Sequence, residues 1–343
     1  MGYEPFERVA LGSGGPAVTR LGFGAASIGG LFSPVDDADA IGTVRHAWDL
    51  GIRYFDAAPL YGYGAGERRL GAGLAGRPRD AFVVSTKVGR LVRTVDSLPP
   101  GADVDRQVLD GREDAFYAAT GGRRPVFDYS ADGVRRSLEE SLERLGLSRV
   151  DLVFIHDPED HWEAAIGEAY PALHRLREEG VVGAIGVGMN QSPMLARFAR
   201  EGEFDAFLVA GRYTLLDQDA LAELLPVCLE RGVAVLIGGT MNSGVLADPR
   251  PGARFDYRPA PDAIIKRARG LAAVCERHEV PLRAAAMQFP LAHPAVAGLI
   301  AGVRTVEHLD EYPAMLRLSI PEALWTELRS KGLIHPDAPT PAP

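Results

Sequence analysis

The chain has 343 residues, 46% of them hydrophobic and 24% charged, with a formal net charge of −9. These are ordinary values for a globular protein, and the acidic balance argues against a surface built to neutralise nucleic-acid phosphates. The N-terminus, MGYEPFERVALGSGG, lacks the basic-then-apolar pattern of a secretory signal, and no apolar run reaches the roughly 18 residues of a membrane span.

In chain order, short apolar runs predict eight strands at Leu21–Phe23, Tyr54–Asp56, Phe82–Thr86, Val150–Ile155, Val182–Val187, Phe207–Ala210, Val233–Gly238 and Gly298–Ala301. Each is rich in Val, Ile, Leu or Phe with little polar alternation, the pattern of parallel strands buried on both faces. The GSGG run at 12–15 reads as the turn of an N-terminal hairpin. Helical patterns fill the gaps. Asp36–Leu50 opens on acidic residues and stops before Gly51; Ser130–Leu145 has a Ser N-cap and a closing Gly146. Trp162–Glu179 and Leu221–Arg231 end at glycines, and Leu282–Phe289 follows Pro281. Strand and helix alternating eight times predict a single (β/α)8 barrel over residues 1–334, with open doubly wound sheets sharing the local pattern.

Two Pro/Gly-rich stretches, Arg90–Asp128 and Asp248–Pro261, read as long loops at the C-terminal face of the barrel. The last residues, 335–343, read as a disordered tail. Cys228 and Cys275 are too few and too isolated for a disulfide framework or a metal cluster. They read as buried thiols of a reducing compartment, with the cytoplasm as the default location.

Active sites of barrels form where strands end. Asp56 ends the second strand, Tyr61 follows it by five residues, Lys87 ends the third and His156 the fourth. A tyrosine is a poor acid or base near neutrality, and a neighbouring ammonium favours its phenolate. Lys87 is expected to do this while Asp56 orients it, and His156 donates a hydrogen bond to a substrate oxygen. A proton relay of that kind beside a hydride donor suits a carbonyl reductase or an alcohol dehydrogenase. Taken singly, Tyr61 reads as a rim aromatic, His156 as a satisfied core histidine and Lys87 as a surface lysine; their joint placement at successive strand ends reverses those odds. His156, Asp157, Asp160 and His161 in HDPEDH invite a metal reading. Pro158 interrupts that run and no second His cluster stands at another strand end, so no metal is expected.

The words GIRYFDAAPLYG, YGAGERRLG, STKVG and VDLVFIHDP, with RLGFGAASIGG and GVRTVEHLDE near the ends, resemble the aldo-keto reductase family across essentially the whole chain. The resemblance implies a TIM barrel, NAD or NADP as cofactor without a Rossmann domain, and Asp56, Tyr61, Lys87 and His156 as the catalytic tetrad. On the cofactor side it implies Asn190 as a nicotinamide contact, with Met189 standing where the family has a serine and Gly238 where it has a stacking aromatic. It further places Gly302, Arg304, Thr305 and His308 around the adenosine phosphate and Glu311 near adenine. Gly302 and His308 replace a lysine and an arginine of NADPH-preferring members, which favours NAD. Within the family, YGYGAGERRLG, STKVGRLV, MNSGVLA, FDYRPAP and MQFPLAHPAVAGLIAGVRT resemble a bacterial group of aldose and pyridoxal dehydrogenases, which implies oxidation of a sugar at C1. Trp162, Tyr63 and Tyr257 are the candidate substrate residues. Aldehyde reduction, and a non-catalytic cofactor-binding subunit, are the alternatives. A small molecule is the expected partner, with no nucleic acid and no membrane; homo-oligomerisation is left open.

Overall fold

In the computed structural model, the residues described are all except 1, 13, 109–111, 113–115, 118, 119, 304 and 343. A hairpin of Arg8–Ala10 and Ala17–Thr19 precedes the barrel. The eight barrel strands are β1 (Leu21–Gly24), β2 (Tyr54–Asp56), β3 (Val83–Thr94), β4 (Leu152–His156), β5 (Ala184–Met189), β6 (Ala206–Ala210), β7 (Ala234–Gly238) and β8 (Val296–Gly302). Neighbours pair in parallel in the order β2-β1-β8-β7-β6-β5-β4-β3, and pairing of β2 with β3 closes the ring.

Strand parity divides the core. Tyr54, Val83, Leu152, Phe154, Leu208, Leu236 and Ile300 pack together inside the ring, and Leu11 and Val18 of the N-terminal hairpin join them. Phe55, Val84, Val153, Ile155, Phe207, Val209 and Ile237 face outward into the helix layer. Both faces are therefore buried, which is why the strands read as continuous apolar runs.

The helix layer contains α1 (Asp37–Leu50), α2 (Ala65–Leu74), α3 (Ala131–Leu145), α4 (Tyr170–Glu178), α5 (Ser192–Glu201), α6 (Leu224–Arg231), α7 (Asp262–Arg277), α8 (Leu282–Leu291), α9 (Val306–Arg317) and α10 (Glu322–Ser330). The local capping expectations hold: Asp36 accepts from the Ala38 N–H, Ser130 from the Gly133 N–H, and Gly51 and Gly146 close their helices in left-handed conformation. The segment expected as one helix over Trp162–Glu179 carries a π turn at Ala165–Ala169.

Three expectations are corrected. The 90–128 stretch is not all loop, because β3 runs on to Thr94 and pairs antiparallel with Arg123–Asp128. The loop at 248–261 holds a short hairpin of Arg254–Phe255 and Arg258–Pro259. Residues 335–342, expected to be disordered, are tied down. Ala338 is 2% exposed, Arg329 donates to the Ala338 carbonyl, and the His335 N–H donates to Gln218 Oε1. Among the described residues, no helix is long and apolar enough to cross a membrane.

Candidate active site

The same parity that packs the barrel interior builds its mouth. Continuing by two residues from the interior positions Tyr54, Val83 and Phe154 reaches Asp56, then Ser85 and Lys87, and finally His156. From Leu208, Leu236 and Ile300 the same step reaches Ala210, Gly238 and Gly302. Asp56, Lys87, His156, Gly238 and Gly302 thus stand at inward positions of the C-terminal rim, whereas Met189, the last residue of β5, shares the outward parity of Ile185 and Val187.

Lys87 Nζ donates to both Asp56 oxygens at 2.9 and 2.7 Å and to the Ala57 carbonyl at 2.9 Å. The pair is buried, and Ser85 Oγ adds a hydrogen bond to Asp56 at 2.7 Å. Placing two charges in such a site demands this full satisfaction. The ammonium lies 4.6 Å from the Tyr61 ring centroid, over its face.

Tyr61 depends on a close backbone approach. Gly62, at φ 63°, sits against Gly29, and a Cβ on it would come within 2.1 Å of the Gly29 oxygen. The loop continues into α2, where fully buried Glu67 accepts from Thr86 Oγ1 of β3 at 2.6 Å and from Arg144 of α3. Glu67 therefore ties the tyrosine-bearing loop to the lysine-bearing strand. That positioning role was not read from the sequence, where a charged residue on a helix defaults to a solvated face.

The phenol differs from expectation. Burial first, then the Asp56 carboxylate and neighbouring Tyr117, Tyr257 and Asp157, raise its pKa well above the ordinary tyrosine value. Lys87 does not offset this, because its hydrogen bonds go to Asp56 and Ala57. Tyr61 stands as a neutral phenol, a proton donor. The His156 ring meets the Tyr61 ring edge-on at 5.9 Å. Burial, with Arg90 and Lys87 nearby, drops its pKa well below the ordinary histidine value. A neutral imidazole offers one N–H to a substrate oxygen without a competing positive charge.

Two cavities meet at Tyr61. The first, of about 390 Å³, is lined by Tyr61, His156, Asp157, Met189, Asn190 and Tyr257, with Phe116, Tyr117, Phe127, Arg90 and Glu159 on its walls. The second, of about 380 Å³, runs past Ser27, Gly238, Gly239, Thr240, Arg283, Gly302 and His308. Tyr257 belongs to both. A Cβ at Gly238 would meet nothing nearer than 3.5 Å, so glycine there leaves room for a ligand rather than relieving a clash. Small residues and the start of α9, with Thr305 as its N-cap, make this second cavity fit a dinucleotide with its phosphates.

The remaining expected residues divide. Asn190 hydrogen-bonds Tyr257 through its side chain, and Arg212 donates to its carbonyl at 2.8 Å. Glu311 pairs with Arg283 at 2.6 Å and is not among the lining residues; Arg283, unnoticed in the sequence, is. Arg304 lies outside the described residues. Trp162 and Tyr63 are corrected. Trp162 packs on Phe198 with centroids 4.4 Å apart, under the Arg197 guanidinium, and Tyr63 is 1% exposed and packs on Tyr117. Neither lines either cavity, because each is consumed by packing against a distant segment, Trp162 against α5 and Tyr63 against the stretch after β3.

Residues 20–332 match the aldo/keto reductase family, and the chain belongs to that family. It is 44% identical over 336 residues to a D-threo-aldose 1-dehydrogenase of a Pseudomonas species, spanning 97% of this chain and 98% of that one. A pyridoxal 4-dehydrogenase of Microbacterium luteolum is also 44% identical, over 345 residues, 96% of this chain and 98% of that one. An L-galactose dehydrogenase of Arabidopsis thaliana is 30% identical over 330 residues, 94% and 89% of the two chains. Among solved structures, an aldo-keto reductase from Bacillus halodurans in its holo form aligns with TM-score 0.73 at 22% identity, covering 96% and 97% of the two chains. That likeness supports the barrel fold. Family membership makes the protein an oxidoreductase that uses a nicotinamide dinucleotide on a small molecule.

Proposed function

We propose that the enzyme oxidises a neutral polyhydroxy hemiacetal, an aldose of the L-fucose or D-arabinose kind, at C1 to the lactone. The observation that carries this reading is the first cavity. Tyr61 and His156 meet at its floor, and Asp157, Glu159 and Asp160 supply carboxylates around it. Carboxylates accept hydrogen bonds from hydroxyls and repel anionic substrates. Arg90 is already engaged by Asp105 at 2.7 Å, so it offers little to a phosphate or an acid.

A bound nicotinamide dinucleotide would supply the hydride acceptor; Asn190, Met189 and the open space at Gly238 would hold its nicotinamide ring, and Gly302, Thr305 and His308 would serve its phosphates. Tyr61 takes the anomeric hydroxyl proton on its phenol oxygen as the C1 hydrogen leaves with its electron pair and the lactone carbonyl forms. His156 orients the same oxygen. In this direction the phenol must first lose its proton, which its raised pKa opposes, so oxidation accelerates toward alkaline pH. In the reverse direction, aldehyde reduction, the neutral phenol is already the donor. NAD is the preferred cofactor in this reading, because Gly302 and His308 bring no permanent cation to a 2′-phosphate and Arg283 is paired with Glu311. The cytoplasm is its compartment, consistent with two free, buried thiols.

A second reading, pyridoxal as substrate, draws on the aromatic walls Phe116, Tyr117, Phe127 and Tyr257 and on the equally similar pyridoxal dehydrogenase. Pyridoxal also closes to a cyclic hemiacetal, so the same proton and hydride leave. The test is absorbance of reduced nicotinamide with NAD+ or NADP+ and L-fucose, D-arabinose, L-galactose or pyridoxal. Turnover of an aldose, reduced at least ~100-fold in Tyr61→Phe with cofactor binding intact, is expected. Turnover of pyridoxal alone selects the second reading, and silence on the whole panel with cofactor bound rejects both.

A further inference from the structure

We propose that Asp157 is a specificity-determining residue that, together with His156, grips the two adjacent oxygens of a substrate carrying a hydroxyl next to the reacting carbon. This deepens the aldose reading and rests on it for the identity of the substrate.

Strand parity would turn Asp157 away from the ring, because it follows the inward-facing His156. Its backbone instead adopts φ 42°, in the left-handed region that aspartate and asparagine tolerate better than most residues. That twist brings its carboxylate to the wall of the first cavity. The side chain remains 25% exposed there, and Oδ2 lies 3.4 Å from His156 Nε2.

The unusual conformation is held from several sides. Arg90 Nη1 donates to the His156 carbonyl at 2.7 Å, and the Tyr129 hydroxyl bridges the His156 and Asp157 carbonyls at 2.6 and 2.9 Å. The Asp157 N–H donates to the Gly188 carbonyl at 3.0 Å. Strained backbone of this kind persists where surrounding bonds over-determine it, and it concentrates at working sites. Arg90 reaches the Asp157 carboxylate only at 3.8 Å while holding Asp105 at 2.7 Å. The Asp157 oxygens are thus left available as acceptors.

The result is a donor and an acceptor side by side at the cavity. His156 Nε2 can donate to the oxygen of the reacting carbon, and Asp157 can accept from a hydroxyl on the next carbon. A vicinal pair of oxygens matches this spacing, whereas a 2-deoxy sugar or an unsubstituted aldehyde leaves the carboxylate without a partner. A polar site deprived of its partner discriminates more strongly than an apolar one deprived of a methylene.

The experiment compares kcat/KM for an aldose and its 2-deoxy analogue in oxidation, and for glyceraldehyde and 3-hydroxypropanal in reduction. Asp157→Asn keeps the shape and tolerates the backbone angle; Asp157→Gly removes the acceptor without strain. The wild type is expected to favour the 2-hydroxy member of each pair by at least ~10-fold. Asp157→Gly is expected to bring the two partners of each pair to within ~2-fold of each other, and Asp157→Asn, which keeps only a neutral amide acceptor, to narrow the preference in part; retained cofactor binding and a single cooperative melting transition report a folded enzyme. Equal losses on both partners, or a wild type indifferent to the 2-hydroxyl, overturn the proposal. If no aldose is oxidised but glyceraldehyde reduction retains the preference, the aldose reading fails and the Asp157 assignment stands.

Discussion

Lys87 and Asp56 form a pair whose coupling can be measured apart from catalysis. Their side chains are 1% and 2% exposed, with Nζ–O distances of 2.9 and 2.7 Å. Removing one member of a buried pair costs about 3–5 kcal/mol, because the other is left as an uncompensated charge. Each survivor keeps some partners. After Lys87→Met, Asp56 still accepts from Ser85; after Asp56→Asn, Lys87 still donates to the Ala57 carbonyl. Both single losses are therefore placed at the low end, about 3 kcal/mol. The double variant buries no charge and so escapes that penalty: its loss is expected to be no more than about 3 kcal/mol rather than the roughly 6 of a simple sum, a coupling of at least about 3 kcal/mol. Urea denaturation at neutral pH reads these values from the midpoints, provided the slope is unchanged across the four proteins. A double variant whose loss equals the sum of the singles within about 0.5 kcal/mol refutes the reasoning. Activity falls in all three variants, since Lys87 lies against the Tyr61 ring.

Three other expectations follow from specific contacts. Gly62→Ala forces a Cβ against the Gly29 oxygen at a positive φ. It is expected to lower kcat at least ~10-fold with a stability loss of about 1–3 kcal/mol, and wild-type turnover in this variant contradicts the close-approach argument. Burial raises the Asp157 carboxyl to about 7, opposed by Arg90 and Lys87 and reinforced by Glu159 and Asp105, with His156 beside it. An acid whose folded value is raised holds its proton in the native state while the unfolded chain has lost it. Its stability contribution is therefore present at acid pH and lost as pH rises from the ordinary carboxylate range to about 7. Asp157→Asn should accordingly raise the melting temperature relative to wild type at pH 8 but not at pH 4, and an equal shift at both values rejects this account. Trp162→Ala removes a side chain packed on Phe198 and Arg197. It is expected to cost about 3 kcal/mol in denaturation with kcat/KM changed by less than ~2-fold, whereas a selective rise in KM restores Trp162 to the substrate pocket.

Much of the barrel and the core of its candidate site could be read along the chain. Strands buried on both faces announce themselves as apolar runs, and a titratable residue closing such a run has few structural reasons to be there. Asp56, Lys87 and His156 were legible for that reason. The caps at Asp36, Ser130, Gly51 and Gly146 were legible because capping is settled within a few residues.

Other features depended on residues distant in sequence. The extension of β3 to Thr94 carries arginines and faces a partner strand with Pro125, so its polarity looked like loop until Arg123–Asp128 paired with it. Trp162 and Tyr63 had the chemistry of pocket residues, and neighbouring packing claimed them instead. Glu311 was matched to a ligand, whereas Arg283 from another helix took its carboxylate. The protonation of Tyr61 was inferred from a nearby ammonium, but burial and the engagement of that ammonium with Asp56 decide it. Local spacing thus determined which residues stand at the barrel mouth. Tertiary structure decided which way Asp157 turns, which charges are already paired and which protons are held, because these follow from burial and from partners that no window along the chain brings together.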